Sequence, residues 1–344
     1  MQDRPKVSII VPVKNIRHQI QELVSDVKSQ SVTDWELLLI TGVSDDGTDE
    51  VCHTMAEEDE RIQVLLRKEE GVSAARNCGI EHAKGDYLVF PDGDDRIDKE
   101  YLATLLSTIE EKEDDEDRDF PSLPVEMGMI GYITEVVEGD EELFFATPES
   151  GERVISVEDL LCRLFFLGNY QGYVWNKIFQ RNIVMENDIR FDEDIYYHED
   201  QLFLVTYLIH AQNVRWNPEQ LYHYRMREDS AMGLTEPRDG LVPYDIIEKE
   251  ATEVLSLDRM RNLLIDYPDA QWFCEQNEVY YALEILGKME MYEDPDAFSD
   301  SAFRQMAKVA SEIDYEAMDE WEEEALPRLE YYGQTGKLLE EEGE

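Results

Sequence analysis

The stretch GVSAARNCGIEHAKGDYLVFPDGDD, residues 71–95, decides the fold. Its first part has helical spacing from Val72 to Ala83 and is followed by Gly85, a residue type that commonly ends helices. The apolar run from Tyr87 to Phe90 has the composition of a buried strand and leads directly into the acidic turn PDGDD. A helix, a buried strand and an acidic turn in this order predict an α/β protein whose ligand site lies beyond the strand.

The residues before this stretch show the same alternation. Val7 to Val13 and Trp35 to Ile40 are nearly continuous apolar runs, which is typical of strands buried on both faces. Ile62 to Leu66 predicts a third strand. Helical spacing predicts helices over Ile16 to Ser29 and Asp46 to Glu58. We therefore expect an α/β fold with a mostly parallel sheet flanked by helices.

The remainder of the chain has a different character. Strand patterns return at Met127 to Val137 and Leu143 to Ala146, and a helix is expected from Ser156 with Asp159 as its capping partner. From about residue 240 onward the pattern is that of acidic amphipathic helices. We predict one domain over residues 1–235, with halves at 1–100 and 125–235, and a C-terminal acidic helical region over residues 236–344.

The charge of the chain limits its partners. It has 80 Asp and Glu residues against 31 Lys and Arg, so the formal net charge is -49. Such a surface repels nucleic acid and anionic lipid, and it repels itself unless salt screens it. Because the acids run through the folded-looking segments as well as the tail, we interpret them as adaptation to a salt-rich cytoplasm, as in an extreme halophile. An ordinary acidic protein with a long acidic tail is the alternative.

Cysteine spacing and hydropathy indicate the cellular compartment in which the protein is expected. The four cysteines are far apart and form no metal or redox pair, which suits a reducing environment. No run approaches the ~20 apolar residues that a membrane helix needs, and the N-terminal apolar run is too short for a signal peptide. We expect a cytoplasmic protein, either free or associated peripherally with the cytoplasmic face of the membrane.

The acidic turn holds candidate metal ligands. Asp92 and Asp94 stand one residue apart, where two carboxylates can converge on a Mg²⁺ or Mn²⁺ that takes further ligands from phosphate. An EF-hand loop is excluded, because its sixth position would be Ile97 and its twelfth Ala103. The alternative is that Asp98 caps the following helix and the other acids only decorate a loop.

Residues 71–95 resemble the donor-site signature of family 2 glycosyltransferases with the GT-A fold. The opening VSIIVPVKN and the strand WELLLI precede this stretch in the family's order, so the likeness covers residues 6–95. VWNKIFQRNIV, IRFDEDIYYHEDQLFLVTYLIHA and LYHYRMREDSAM are similar to the family's acceptor-side half and extend the likeness to about residue 232. The resemblance implies a Rossmann-like GT-A domain and an inverting, metal-dependent transfer of sugar. The donor would be a nucleoside-diphosphate sugar and the acceptor a hydroxyl of a glycan or lipid-linked acceptor.

The resemblance also implies roles for single residues. Asp92 and Asp94 would form the DxD pair that holds the ribose and a divalent cation, and Asp200 would be the general base on the acceptor hydroxyl. A helix-start acid is the alternative for Asp200, and His198 either touches metal or acceptor or is structural. For Arg76 the alternative is a surface ion pair. The family implies nucleobase or phosphate contacts for Pro12, Val13, Asn15, Asp46, Arg76, Arg225 and Arg227.

One turn departs from the family's pattern. Where the family carries Asp-Asp-Gly-Ser after the second strand, this chain has Thr41, Gly42 and Val43. Asp45 or Asp46 substitutes after a shift of the loop, or the base specificity is altered, or donor binding is lost. The departure keeps open a catalytically degenerate member that binds sugar nucleotides or serves in an assembly. A nucleotidyltransferase is disfavoured by the lack of a glycine- and lysine-rich phosphate loop, and homo-oligomerisation is left open.

Overall fold

The computed structural model describes residues 4–67, 71–110, 124–138, 141–146, 151, 153–165, 172–226, 242–292, 301–317 and 319–339. The chain forms two compact units. The first comprises Met1–Leu160, Tyr173–Glu193 and Tyr207–Ser230, and the second comprises Leu161–Gly172, Asp194–Thr206 and Ala231–Glu344. The units therefore interleave along the chain, whereas a boundary at residue 235 stays a prediction.

The secondary-structure elements are described in chain order. They are β1 Val7–Val13, α1 Arg17–Lys28, β2 Trp35–Thr41, α2 Thr48–Glu58, β3 Ile62–Leu66, α3 Val72–His82, β4 Tyr87–Val89, β5 Arg96–Ile97, α4 Tyr101–Glu110, β6 Met127–Glu138, β7 Glu141–Ala146, β8 Arg153–Ser156, α5 Val157–Leu164, β9 Lys177–Gln180, α6 Arg181–Glu186, α7 Glu199–Leu208, β10 Asn213–Met226, α8 Tyr244–Leu263, α9 Pro268–Glu290, α10 Ser301–Ser311 and α11 Glu320–Thr335.

The described strands form one ten-stranded sheet in the first unit. Its main path runs in the order β3-β2-β1-β4-β9-β6-β10-β5, with β7 paired to β6 and β8 to β10. The pairs of β1 with β2 and β4, and of β2 with β3, are parallel. β9 enters antiparallel between β4 and β6. Every residue of β2 is buried, as the apolar pattern predicts for a central strand covered on both faces. The predicted α/β fold with a mostly parallel sheet is confirmed.

The predicted helix from Val72 to Ala83 agrees with α3, but the predicted role of Gly85 as its cap is wrong. α3 ends at His82, and its C-cap residue Ala83 has an extended backbone at φ -61° and ψ 134°, so no left-handed glycine caps the helix. A Cβ atom on Gly85 would lie 2.5 Å from the backbone nitrogen of Ser8. Gly85 is needed because two chain segments approach there too closely for a side chain.

The predicted start of α5 is confirmed. The Asp159 N–H donates to Ser156 Oγ at 3.2 Å, which satisfies one of the free amides at the beginning of the helix.

The second unit has a hydrophobic core of its own. Side chains of α8, α9, α10 and α11 form it, among them Ile247, Leu283, Phe303 and Leu329. α11 begins with a capping box, in which the Asp319 carboxylate accepts the Glu322 N–H and the Glu322 side chain accepts the Asp319 N–H. The amphipathic pattern after residue 240 therefore corresponds to helices that bury apolar faces against one another. No helix of the described residues combines the length and apolar character required to cross a membrane.

Candidate active site

The acidic turn PDGDD directly follows β4, which pairs in parallel with β1. The Asp95 N–H donates to the Asp92 carbonyl at 3.3 Å and closes the turn. A Cβ atom on Gly93 would lie 2.9 Å from the Pro12 carbonyl oxygen and 2.5 Å from Ile16 Cδ1. Glycine is required at position 93 because the turn lies directly against the end of β1. The structure thereby brings Pro12 close to the predicted DxD pair.

A buried hydrogen-bond network fixes this turn to β10. The Tyr222 hydroxyl, which is fully buried, donates to Asp95 Oδ2 at 2.6 Å and accepts the Asp92 N–H at 3.0 Å. The other Asp95 oxygen accepts the Arg225 N–H at 2.8 Å. Burial, together with the charges of Asp92 and Asp94, raises the pKa of Asp95 well above its usual value. Asp95 thus anchors the turn, while Asp92 and Asp94 remain half-buried beside it.

Arg76 lies beside the predicted DxD pair. Its Nη2 atom is 2.9 Å from Asp92 Oδ1, and its guanidinium lies 5.1 Å from the Phe191 ring centre. The residue is only 2% exposed, which excludes the alternative of a surface ion pair. The neighbouring Asn77 donates to the Phe191 carbonyl and accepts the Phe191 N–H, both at 2.8 Å. A buried cation is therefore held next to the candidate metal ligands, where it can face a diphosphate.

The loops after β1 and β2 are joined by side-chain hydrogen bonds. Asn15 has a left-handed backbone with φ 54°, and its Oδ1 accepts the Asp45 N–H at 3.0 Å. Val13 is 2% exposed, and its carbonyl accepts the Gly42 N–H at 3.2 Å, so the predicted nucleobase contact is not open in this structure. Val43, at the departure from the family's pattern, is exposed.

Asp46 holds the start of α1. One of its oxygens accepts the Arg17 N–H at 3.1 Å, and the other accepts the backbone N–H and the hydroxyl of Thr48. The Thr48 hydroxyl is the main cause of the lowered pKa of Asp46. Both carboxylate oxygens of Asp46 therefore have structural partners, and a nucleobase contact would have to share them.

Of the two arginines in β10 and after it that were predicted to contact phosphate, the structure describes Arg225. The Arg225 guanidinium donates to Glu22 at 2.7 Å through Nη1 and to Glu135 at 3.3 Å through Nε. His223 Nδ1 lies 2.8 Å from the same Glu135. Arg227 lies outside the described residues. In this structure the Arg225 side chain is held by two carboxylates, so it would have to leave at least one of them to reach a phosphate.

Trp175 and Tyr222 form the centre of an aromatic stack in the first unit. Their ring centres are 4.3 Å apart at an interplanar angle of 12°. The half-buried rings of Tyr173 and Tyr224 stack on Trp175 at 4.9 and 5.6 Å. Trp175 is 2% exposed and is therefore a core residue. The stack supports the Tyr222 ring, whose hydroxyl holds the acidic turn.

The predicted base Asp200 lies in the second unit, in the first turn of α7. His198, two residues before Asp200, has a left-handed backbone with φ 63°, and its Nε2 atom is 2.8 Å from Glu253 Oε1 of α8. His198 therefore makes a structural contact to the C-terminal helices.

A cavity of about 720 Å³ lies elsewhere in the first unit, at the edge where the parallel strands begin. Trp35 and Glu36 at the start of β2 line it, together with Arg61 and Lys84. The PDGDD turn follows the opposite, C-terminal end of β4, so this cavity is not the predicted donor site.

The acidic turn fits a divalent cation only as part of a shared site. Among the described residues, no group of three or more His, Cys, Asp or Glu side chains is arranged to hold a metal ion. Asp92 and Asp94 offer carboxylate oxygens, and the remaining ligands would come from a diphosphate and water, as Mg²⁺ and Mn²⁺ accept. The chemistry of the residues is thus compatible with a metal that binds together with its nucleotide.

Sequence reasoning missed Asp95 and Tyr222 as anchors of the site. Asp95 was visible only as a third acid of the turn, in a chain with acids throughout. Tyr222 and Tyr224 alternate with polar residues at the strand period of two, which predicts a shared face but not a partner 127 residues away.

Known proteins resemble the first part of this chain. Residues 8–116 match the model of glycosyl transferase family 2. The uncharacterized glycosyltransferase EpsJ of Bacillus subtilis is 28% identical over 228 residues, which are 66% of this chain and 62% of EpsJ. The poly(ribitol-phosphate) beta-N-acetylglucosaminyltransferase TarS of Staphylococcus aureus is 25% identical over 260 residues, 74% of this chain and 41% of TarS. The matched region is thus less than two thirds of each of these relatives.

Solved structures share the fold. The crystal structure of S. aureus TarS 1-349 in complex with UDP has a TM-score of 0.60 at 17% identity and covers 98% of both chains. The mannosyltransferase PcManGT from Pyrobaculum calidifontis, in complex with GDP-Man and Mn2+, has a TM-score of 0.53 at 13% identity, covering 98% of this chain and 89% of the other. Residues 8–116 of this chain are thus similar to glycosyl transferase family 2, and the chain shares the fold of these solved structures.

Proposed function

We propose that the chain is an inverting glycosyltransferase that uses a nucleoside-diphosphate sugar and a divalent cation. The observation that carries the proposal is the acidic turn after β4. Its Asp92 is paired with the buried Arg76, and its Asp95 is anchored by Tyr222. This arrangement supports a site in which the carboxylates of Asp92 and Asp94 and the Arg76 guanidinium bind a diphosphate together with its cation. TarS with UDP-GlcNAc and PcManGT with GDP-Man and Mn2+ suggest which donors to test first.

In this mechanism Asp92 and Asp94 would hold the ribose and the metal, and Arg76 would face the diphosphate. The cation, when bound, neutralises the charge that develops on the departing nucleoside diphosphate. Asp200 accepts the proton of the acceptor hydroxyl as that oxygen bonds to the anomeric carbon. The bond between this carbon and the diphosphate oxygen breaks on the opposite face, so the configuration inverts. The acceptor we propose is a hydroxyl of a glycan or lipid-linked glycan at the cytoplasmic face of a membrane.

The donor site is tested by calorimetric titration with UDP-GlcNAc, UDP-glucose and GDP-mannose, with Mn²⁺ or with chelator. Asp94→Asn is expected to weaken metal-dependent donor binding at least tenfold. Asp98→Asn is the matched control, because it removes one charge from the same acidic run at a residue whose carboxylate contacts His223 instead. Equal binding by the wild type with and without chelator would contradict the role of the metal. Binding of none of the donors by folded protein would contradict the donor site.

The base is tested by Asp200→Asn against Glu199→Gln. Both residues lie in the first turn of α7 and both variants remove one charge there. We expect Asp200→Asn to lower kcat by about 10²- to 10⁴-fold while donor affinity is unchanged, because a general base accepts the proton in the transition state and not during donor binding. Glu199→Gln is expected to stay close to wild type. The reverse result would transfer the role of base to Glu199.

A degenerate, sugar-nucleotide-binding protein is the second candidate. The observation in its favour is the loop after β2, where Thr41, Gly42 and Val43 replace the family's acidic turn and Asp46 is engaged with α1. This candidate predicts donor binding without turnover. The Asp200 series separates the two, since a binding protein would show no turnover for Asp200→Asn to reduce.

A further inference from the structure

The segment before α7 is held by α8 in the second unit. The Tyr196 N–H donates to Thr252 Oγ1 at 3.0 Å, and the Ser256 hydroxyl donates to the His198 carbonyl at 3.1 Å. Thr252 and Ser256 are four residues apart, so they lie on the same side of α8, one turn from each other. α8 therefore makes hydrogen bonds to the backbone on both sides of Tyr197, just before the predicted base.

Between these two bonds, Glu253 holds the side chain of His198. Its Oε1 atom lies 2.8 Å from His198 Nε2, and the Glu253 side chain is only 15% exposed. Because an ionised carboxylate only accepts hydrogen bonds, Nε2 carries the proton of this contact. The ring of Tyr281 from α9 meets the imidazole edge-on at 5.5 Å. The imidazole is thus fixed by two helices of the C-terminal region.

The backbone of His198 needs such support. Its φ of 63° is in the left-handed region, which is unfavourable for residues with a Cβ atom and persists where the surroundings determine it. The His198 carbonyl also accepts the Leu202 N–H at 2.9 Å, the first hydrogen bond of α7. The direction of the first turn of α7 therefore depends on the peptide of His198, and Asp200 lies in that turn.

We propose that Glu253 is a positioning residue that acts through His198 on the general base Asp200. The inference rests on the proposed function and extends it to the C-terminal helices. These helices hold the start of α7 in the one orientation in which Asp200 meets the acceptor hydroxyl. A residue outside the sequence motifs of the family thereby contributes to kcat without touching the substrates.

The chain offers a close control for Glu253. Glu250 lies three residues earlier on α8, is similarly buried at 13% exposed, and pairs with Lys288 of α9 at 2.8 Å. Glu250→Ala removes a buried ion pair of the same helix without touching His198. Glu253→Gln keeps an oxygen that can accept from Nε2. Glu253→Asp withdraws the carboxylate by one methylene and retains the charge.

The experiment measures release of UDP from UDP-GlcNAc, and of GDP from GDP-mannose, with Mn²⁺ and with water as the acceptor. We expect Glu253→Ala and Glu253→Asp to lower kcat about tenfold or more with unchanged KM for the donor, in the range known for residues that orient a catalytic group. Glu253→Gln is expected to retain most of the activity, and Glu250→Ala to match wild type. Equal kcat values in Glu253→Ala, Glu253→Asp and Glu250→Ala would overturn the proposal. If the alanine variant fails to fold, the aspartate variant decides.

Hydrogen exchange separates this inference from the proposed function. We expect amides 199–203 to exchange faster in Glu253→Asp than in Glu250→Ala, because the Leu202 N–H loses its fixed acceptor. If the wild type turns over neither donor, the proposed function fails, and hydrogen exchange alone decides whether Glu253 holds the start of α7. Faster exchange confined to the Glu253 variants would support this role of Glu253, and equal exchange in the Glu253 and Glu250 variants would overturn it.

Discussion

Tyr222→Phe is the sharpest test of how the acidic turn is held. The substitution removes one oxygen atom from a fully buried ring and leaves the aromatic stack with Trp175 in place. That oxygen makes two hydrogen bonds, one to the Asp95 carboxylate at 2.6 Å and one from the Asp92 N–H at 3.0 Å. The variant therefore probes these two bonds with little change in packing.

The expected loss can be worked from the two contacts. A hydrogen bond contributes about 0.5–1.5 kcal/mol to stability, and leaving a buried partner unsatisfied costs about 1–3 kcal/mol. Asp95 is 1% exposed, so water cannot replace the hydroxyl there. The Asp92 N–H lies in a half-buried turn and regains part of its loss from water. We expect Tyr222→Phe to lower the free energy of unfolding by about 3 kcal/mol.

Tyr224→Phe is the matched control. Tyr224 lies two residues further along β10 and stacks on the same Trp175 at 5.6 Å. In the described part of the chain, no hydrogen bond joins its hydroxyl to the acidic turn, so its loss is expected to stay within about 0.5 kcal/mol. Urea is the denaturant of choice, because guanidinium chloride would also screen the net charge of -49. A difference below about 1 kcal/mol between the two variants would refute the anchoring role of Tyr222.

Two further predictions concern packing and protonation. Gly93→Ala should lower the free energy of unfolding by about 2 kcal/mol and weaken donor binding, because its Cβ would meet the Pro12 carbonyl at 2.9 Å. The control Gly42→Ala should be neutral, because the nearest neighbour of its Cβ is 3.9 Å away. Equal unfolding midpoints for the two variants would contradict this prediction. Burial raises the pKa of Glu278 to about 7 despite the Arg261 contact at 2.9 Å. Its folded form binds the proton more tightly than the unfolded form, so stability should fall as pH rises from about 4.5 to 7, by up to about 3 kcal/mol. Urea unfolding at pH 5 and 7.5 should show a smaller fall in Glu278→Gln, and parallel pH profiles would disprove it.

The N-terminal half could be predicted because its information is local. β1 and β2 are nearly continuous apolar runs, and α1 between them carries a clear apolar stripe, so period and composition determine each element. The turn at Asp92 follows from the position of the acids after a buried strand. Gly85 shows the limit of this reasoning, since a close approach to Ser8 and a helix cap both select glycine.

The rest of the site could not be predicted because its contacts join distant parts of the chain. β9 inserts antiparallel between β4 and β6, and no local pattern specifies which strands it pairs with. The hydrogen bond between Tyr222 and Asp95 joins residues 127 positions apart, and Asp95 is one of 80 acidic residues in the chain. The Asp46 carboxylate was expected at the nucleobase, yet its partners lie in α1 and α2. Such contacts become visible only when the packing is known.

If Asp200 is the base, as we propose, the C-terminal helices are needed for turnover but not for donor binding. Asp92 and Arg76 belong to the first unit, whereas Asp200 belongs to the second, together with α8 to α11. A fragment ending near residue 235 would retain the acidic turn and its Tyr222 anchor but would lose Thr252, Glu253 and Ser256. Since these three residues hold the backbone and side chain just before Asp200, the fragment should bind donor and fail to turn it over. Donor affinity and turnover would thereby be separated along the sequence, and a fragment with full turnover would show that α7 needs no support from α8.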